Sequence, residues 1–182
     1  MADSIHYLVS REIVNILKQA TQTSVPANDL ARVDIIKVGL FQENPKHDDA
    51  NVYITVTPGI RGRDDVYDGI VTLESFPNLG LDIPAREIGG GVSWWRIFGV
   101  EYGMYYIKAG YEEETILNAA GVLQQRIINA LDGKRVNICD DFGECVCELF
   151  AVKAEMFESG GVKPKTFIWR GRVIVMALSE RQ

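Results

Sequence analysis

Two histidines and three cysteines are all the imidazole and thiol ligands this chain has, and that scarcity removes much chemistry before any motif is sought. A zinc site usually needs two well-separated ligand pairs at two- to four-residue spacing. Cys139, Cys145 and Cys147 have five and one residues between them, with no histidine close in sequence. Their number is odd, and Met1-Ala-Asp-Ser-Ile-His6 holds no apolar signal core, so reduced thiols in a cytoplasm are expected rather than a disulfide framework. No apolar run approaches the roughly 18 residues a membrane span needs. Basic clusters are missing as well: 19 Lys and Arg stand against 25 Asp and Glu, for a net charge of −6. Gripping nucleic acid through its phosphates needs a basic patch. Acidity of one sign favours solubility and a wall that repels passing DNA. A phosphate loop is absent too, since Gly89-Gly90-Gly91 has no Lys-Ser/Thr after it and leads into a strand pattern, which suits a hinge.

What is present is an ordinary globular composition, 47% apolar and 24% charged, enough to build one hydrophobic core. From Ser4 to Thr21 the apolar positions Ile5, Leu8, Val9, Ile13, Ile16, Leu17 and Ala20 recur at helical spacing, with Arg11, Glu12, Asn15, Lys18 and Gln19 opposite them. That is an amphipathic helix. Val33 to Phe41 and Val52 to Thr57 are β-branched and alternating, and the polar connection between them reads as a hairpin or meander.

Pro58 to Gly91 is broken repeatedly by glycine and proline, yet Ile70, Leu73, Phe76 and Leu79 keep it apolar. A structureless loop of this length is uncommon in a compact domain and often functional. The reading is an arm or flap inserted in a single α+β domain, its apolar residues seeking a neighbour.

Val92 to Val100 and Met104 to Ala109 then read as strands, continuing one another or turning at Glu101-Tyr102-Gly103. Glu112 to Leu131 is a second helix with Ile116, Ala120, Leu123, Ile127, Ala130 and Leu131 on one face. Glu112, Glu113 and Glu114 suit the positive end of its dipole, and Asp132-Gly133 stops it. Arg135 to Ile138, Glu144 to Phe157 and Lys165 to Ser179 complete a mostly antiparallel sheet. In the last of these Ile174, Met176 and Leu178 alternate with Val173, Val175 and Ala177, so both faces are apolar. A subunit interface is the expected cover for one of them.

Candidate sites divide between chemistry and packing. His47-Asp48-Asp49 reads as a solvated loop rather than a metal site, because neighbours in an extended segment point to opposite sides. Asp64, Asp65 and Asp68, interleaved with Arg61 and Arg63, could hold Mg²⁺ in a small metal-dependent hydrolase. They read more readily as a charged loop tip or as inter-subunit ion pairs. Trp94, Trp95, Phe98, Tyr102, Tyr105 and Tyr106 could stack bases, but only Arg96 and Lys108 lie among them. Packing in a core or interface suits them better. Asp140, Asp141 and Glu144, near turns, are solvated loop acids or the lining of a negative channel. No catalytic residue, cofactor or metal is expected.

The order of helix, two strands, long arm, aromatic strands, acidic-headed helix and closing strands resembles the tail terminator family of long-tailed bacteriophages. The stretch Tyr111-Glu-Glu-Glu-Thr-Ile-Leu-Asn-Ala-Ala-Gly-Val-Leu-Gln-Gln-Arg-Ile-Ile-Asn-Ala-Leu131 carries most of the likeness, with Ile13-Val-Asn-Ile-Leu-Lys18 and Arg172-Val-Ile-Val-Met-Ala-Leu178. The likeness is one of pattern over most of the chain. The resemblance implies a ring, usually of six copies, that caps the tail tube and joins it to the head connector. DNA would pass through without specific binding, and the protein would reside in the virion after assembly in the host cytoplasm. The long arm leaves room for a sibling role as a neck or head–tail adaptor. On this reading Trp94, Trp95, Phe98, Ile70, Leu73, Phe76, Leu79, Ile174 and Met176 meet other subunits or the tube, and Asp140, Asp141 and Glu144 face the channel.

Overall fold

Helical periodicity near the N-terminus becomes α1, Ile5–Lys18, which buries Val9, Ile13, Val14 and Leu17. A π-helical turn, Gln19–Thr23, ends it. There the Thr21 hydroxyl donates to the Leu17 carbonyl at 2.7 Å, and Val33 N–H donates to the Thr21 carbonyl at 2.9 Å, leading the chain into the sheet. The computed structural model describes residues 5–39, 50–58, 94–106, 110–140, 143–158 and 169–181. The remaining elements are β1 (Ile35–Val38), β2 (Val52–Pro58), β3 (Trp94–Met104), α2 (Glu113–Leu131), β4 (Arg135–Asp140), β5 (Gly143–Glu158) and β6 (Trp169–Arg181). Together they make an α+β fold, two helices on a six-stranded, mostly antiparallel sheet of order β1-β2-β3-β6-β5-β4.

The expected hairpin between the first two strands is corrected: β1 runs parallel to β2, with Ile35 opposite Tyr53 and Val38 opposite Val56. Parallel neighbours need a connection of a dozen or so residues to carry the chain back, and residues 39–51 supply it. Both ends of the pair are pinned. Asn51 and Val52 N–H donate to the Asp34 carboxylate at 2.8 and 2.9 Å, while Gly39 N–H donates to the Val56 carbonyl at 3.0 Å. A second ambiguity is resolved at the aromatic stretch. It does not turn at Glu101-Tyr102-Gly103 but forms one unbroken strand, paired to β2 on one side and β6 on the other.

Strand alternation then decides the faces. Val52, Ile54, Val56, Phe98, Val100, Tyr102, Met104, Val173, Val175 and Ala177 join the helices in one core with Ile116, Leu123 and Ile127. Each fully buried Leu or Ile of this set contributes about 1.5–3 kcal/mol by leaving water. Helix α1 touches β1, β2 and β4, so the two edges of the sheet curl toward it, while α2 lies along β5 and β6. Ala130, expected among the buried positions of α2, is only half-buried, and Ala119 takes part in the core instead. Gly133 adopts φ +69° directly after α2, a left-handed turn that suits glycine, and its N–H donates to the Leu149 carbonyl at 2.8 Å.

Strand β5 does not keep one alternation along its length. Its register against β6 shifts between Ala151 and Lys153. One extra residue reverses strand parity. Leu149 and Ala151 therefore face the helices, but Lys153 and Glu155 face the opposite side, beside Ile174 and Arg172.

Candidate assembly surface

Strand direction gathers several of the residues singled out by sequence at one end of the sheet. Strand β2 ends there at Pro58, and β3 starts there, with Trp94 and Trp95 opposite Ser179 and Leu178 of the closing strand. Strand β5 begins at the same end, Cys145 opposite Arg181, and its turn from β4 places Asp140 opposite Gly143 and Glu144 opposite Cys139. Parallel β1 also exits here, beside Val56. Both junctions of the 59–93 segment, the tryptophan pair and the Asp140 and Glu144 backbone positions thus share one end. Ile70, Leu73, Phe76, Leu79, Asp64, Asp65, Asp68, Asp141 and His47-Asp48-Asp49 lie outside the described residues.

Three expected contact residues are corrected. Phe98 is fully buried in the helix-side core, its ring 6.5 Å from that of His6 on α1. Ile174 and Met176 are 0% and 2% exposed within one copy of the chain. Their strand is interior, flanked by β3 and β5, and both of its faces are covered without a second subunit. The two-sided apolar pattern of β6 therefore reports a strand whose two faces are both covered within one copy. Cys147 is buried, filling the core as a small apolar side chain.

Sequence reading missed the other face of the sheet. Register places Lys37, Thr55, Glu101, Arg172 and Glu155 in one row across five strands. Glu101 accepts from Arg170 at 2.9 Å, with side chains 8% and 17% exposed. Arg172 donates to Glu155 at 2.6 Å, and Lys153 pairs with the same carboxylate. Arg135 meets Glu148 at 3.4 Å at the outer strand pair. The legible signal was the alternation of Arg170 with Arg172 and of Lys153 with Glu155, two residues apart on strands. What this row does chemically is hold strands in register, since each of its acids faces a cation.

Lys153 first, then Arg172, holds the Glu155 carboxyl down from its ordinary 4.5 to about 2. A depressed carboxylate contributes stability that is complete above its unfolded value and is lost as pH falls through its folded one. Urea melts should therefore show stability declining from pH 4.5 toward about 2, and Glu155→Gln should flatten that part of the acid limb. An unchanged limb in the variant would refute the assignment.

The buried tyrosines act as struts. Burial raises the Tyr102 and Tyr106 phenols well above the usual range, and Tyr105 is pushed up to about 12 by burial, then by Tyr53 and Asp34. All three stay neutral at physiological pH. Tyr102 donates to Gln124 of α2 at 2.7 Å and Tyr106 to the Leu30 carbonyl at 2.8 Å. Arg126 of α2 completes the tie to the same loop by donating to Asp29 at 2.7 Å, which, ahead of burial, lowers the Asp29 carboxyl.

Among the described residues no group of three or more His, Cys, Asp or Glu is placed to hold a metal ion. No described helix is long and apolar enough to cross a membrane. No family model matches the chain, and no curated protein matches it.

Proposed function

We propose that this protein is a non-enzymatic, ring-forming structural component of a phage tail or neck, one that caps the tail tube and joins it to the head connector. The observation that carries the reading is the shared end of the sheet. The strand ends that flank the long apolar segment, the Trp94/Trp95 start of β3 and the ends of β4 and β5 at their acidic connection lie at the same end of the sheet. An aromatic, arm-bearing edge suits heterologous contacts that close into a ring. A neighbouring acidic turn suits a channel wall that denies DNA phosphate contacts and lets it slide. The element order, helix, two strands, aromatic strand, acidic-headed helix and closing strands, is consistent with the tail terminator pattern. With Phe98, Ile174 and Met176 assigned to the interior, the contacts are proposed for Trp94, Trp95 and the arm residues Ile70, Leu73, Phe76 and Leu79. The partners proposed are further copies of the chain, the tail tube protein and the head connector, in a virion.

Native mass measurement of the purified protein, alone and with tail tube protein, tests this. The expected result is a closed oligomer or capped tube ends, lost on Trp94→Ala/Trp95→Ala. A species that stays monomeric and never associates with tube ends would remove the proposal.

A further inference from the structure

Strand β5 runs on past the strand that borders it. Its ladder with β4 ends where Arg135 stands opposite Glu148, and the turn before β4 extends the cover only a little further. Leu149 N–H donates to the Lys134 carbonyl at 2.8 Å, and Ala151 N–H to the Asp132 carboxylate at 3.1 Å. Beyond Ala151 no described residue pairs with that side of β5, while its other side stays bound to β6 as far as Glu158. Residues 152–158 are therefore a free sheet edge. It lies at the opposite end of the sheet from Trp94 and Asp140.

The bulge decides what this edge offers. Leu149 and Ala151 turn their N–H groups outward. The register shift at Val152 reverses the count, so beyond it Ala154 and Met156 do so. Ala154 and Met156 stand opposite Val173 and Gly171 on the helix side, and both are exposed, Met156 by 39%. Lys153 and Glu155 stand opposite Ile174 and Arg172 on the other face. They pair along the strand, yet 41% and 29% of their side chains remain exposed. A bulge and a lysine are ordinary guards of a free edge, because most incoming strands give the lysine no counter-charge. Here a carboxylate two residues on means that the same edge, reversed, does supply one.

One register suits β5 for pairing with itself. Faces match only when the symmetry axis passes through a residue, since a slip of one residue sets outer-face charges opposite helix-side apolar groups. An axis at Lys153 puts lysine against lysine, one at Glu155 puts acid against acid, and one at Met156 sets Glu155 opposite Phe157. An axis at Ala154 sets Lys153 opposite Glu155 of the second copy, Glu155 opposite its Lys153, and Val152 opposite its Met156. Ala154 then exchanges N–H and C=O with its own counterpart. The charges fall in the flanking non-hydrogen-bonded positions, where Cα atoms approach to about 4.5 Å and side chains lie closest.

We propose that the free edge of β5 is a self-pairing surface whose occupant is the same edge of a second copy, antiparallel about a two-fold axis at Ala154. The interface is isologous and joins the two sheets into one. Lysine and glutamate alternate across it, which fixes both direction and register. The edge is short and its charges are partly solvated, so the pair is reversible and weakens as salt rises. This surface is separate from the sheet end assigned to ring contacts, and the pairing does not depend on a ring forming.

The test uses the full chain and native mass over a range of concentrations and salt. Ala154→Pro removes the central N–H, which points away from β6, and proline is tolerated at such an edge position. It is expected to halve the mass of the assembled species whatever its size, with an unchanged melting temperature. Lys153→Glu sets acid against acid twice and should also halve the mass; should the proline variant melt lower than the parent, Lys153→Glu decides alone. Ala154→Cys protein should form a disulfide-linked pair on mild oxidation faster than Val122→Cys protein, whose cysteine would stand at a 38% exposed position on α2. A parent chain that stays monomeric at every concentration, a mass untouched by Lys153→Glu, or a cross-link no faster at Ala154 than at Val122 would each overturn the proposal.

Discussion

Arg170→Ala is expected to destabilise the folded chain by about 3–5 kcal/mol, the range for removing one partner of a buried ion pair. Arg170 and Glu101 meet at 2.9 Å across the β3–β6 pair, with only 17% and 8% of their side chains exposed. Taking the guanidinium away leaves the Glu101 carboxylate without its cation in a place where water reaches it poorly. The cost is that of the stranded charge, not the net worth of the pair. The contrast variant makes the point measurable. Glu101→Gln/Arg170→Met removes both charges while keeping volume, and it should recover most of the loss. Urea unfolding of Glu101→Gln, Arg170→Met and the double variant gives the coupling directly. If Arg170→Ala melts like the parent chain, the pair is solvated in solution and the charged row is not a structural element.

The two helices and the last three strands were legible because their signals are local. Val9, Ile13 and Leu17 repeat at helical spacing, Gly133 follows α2, and the alternation of Val173, Val175 and Ala177 fixes one face of β6. What was not legible depends on who lies beside whom. The parallel pairing of β1 with β2 is decided by Asp34 reaching Asn51 and Val52, a contact no window of sequence contains. The two apolar faces of β6 fit a subunit interface or cover from within the chain equally well, and only the burial of Ile174 and Met176 shows that one copy covers both. The parity change at Val152 hid Lys153 and Glu155 from any reading that assumed strict alternation. Of the candidate site, strand direction was the missing piece. Trp94/Trp95 and the Asp140–Glu144 turn are far apart in sequence, and antiparallel folding of β3, β6, β5 and β4 brings their backbones to one end. That convergence lends the proposed assembly role a physical basis beyond composition.

Gly171→Ala is expected to cost about 1–3 kcal/mol, the range for forcing extra volume into a packed core. Gly171 stands opposite Tyr102 on neighbouring strands, and the phenol end of the ring lies against the glycine. A Cβ there would sit inside the contact radius of Tyr102 Cζ and Oη, so the ring must move. It is poorly placed to do so, being fully buried and donating to Gln124 of α2 at 2.7 Å. A ring that shifts also breaks the link between sheet and helix, which is why a single methyl group should be felt so strongly. An aromatic covering a strand glycine on the adjacent strand is itself a stabilising arrangement, since the ring shields backbone the glycine leaves bare. Tyr102→Leu should be destabilising alone, through the lost strut and the uncovered glycine. Combined with Gly171→Ala it should be less harmful than the two single losses together predict, because the shorter side chain makes room for the methyl group. Thermal and urea unfolding of the three variants decide the matter: strict additivity would mean that Gly171 is required for some reason other than the ring above it.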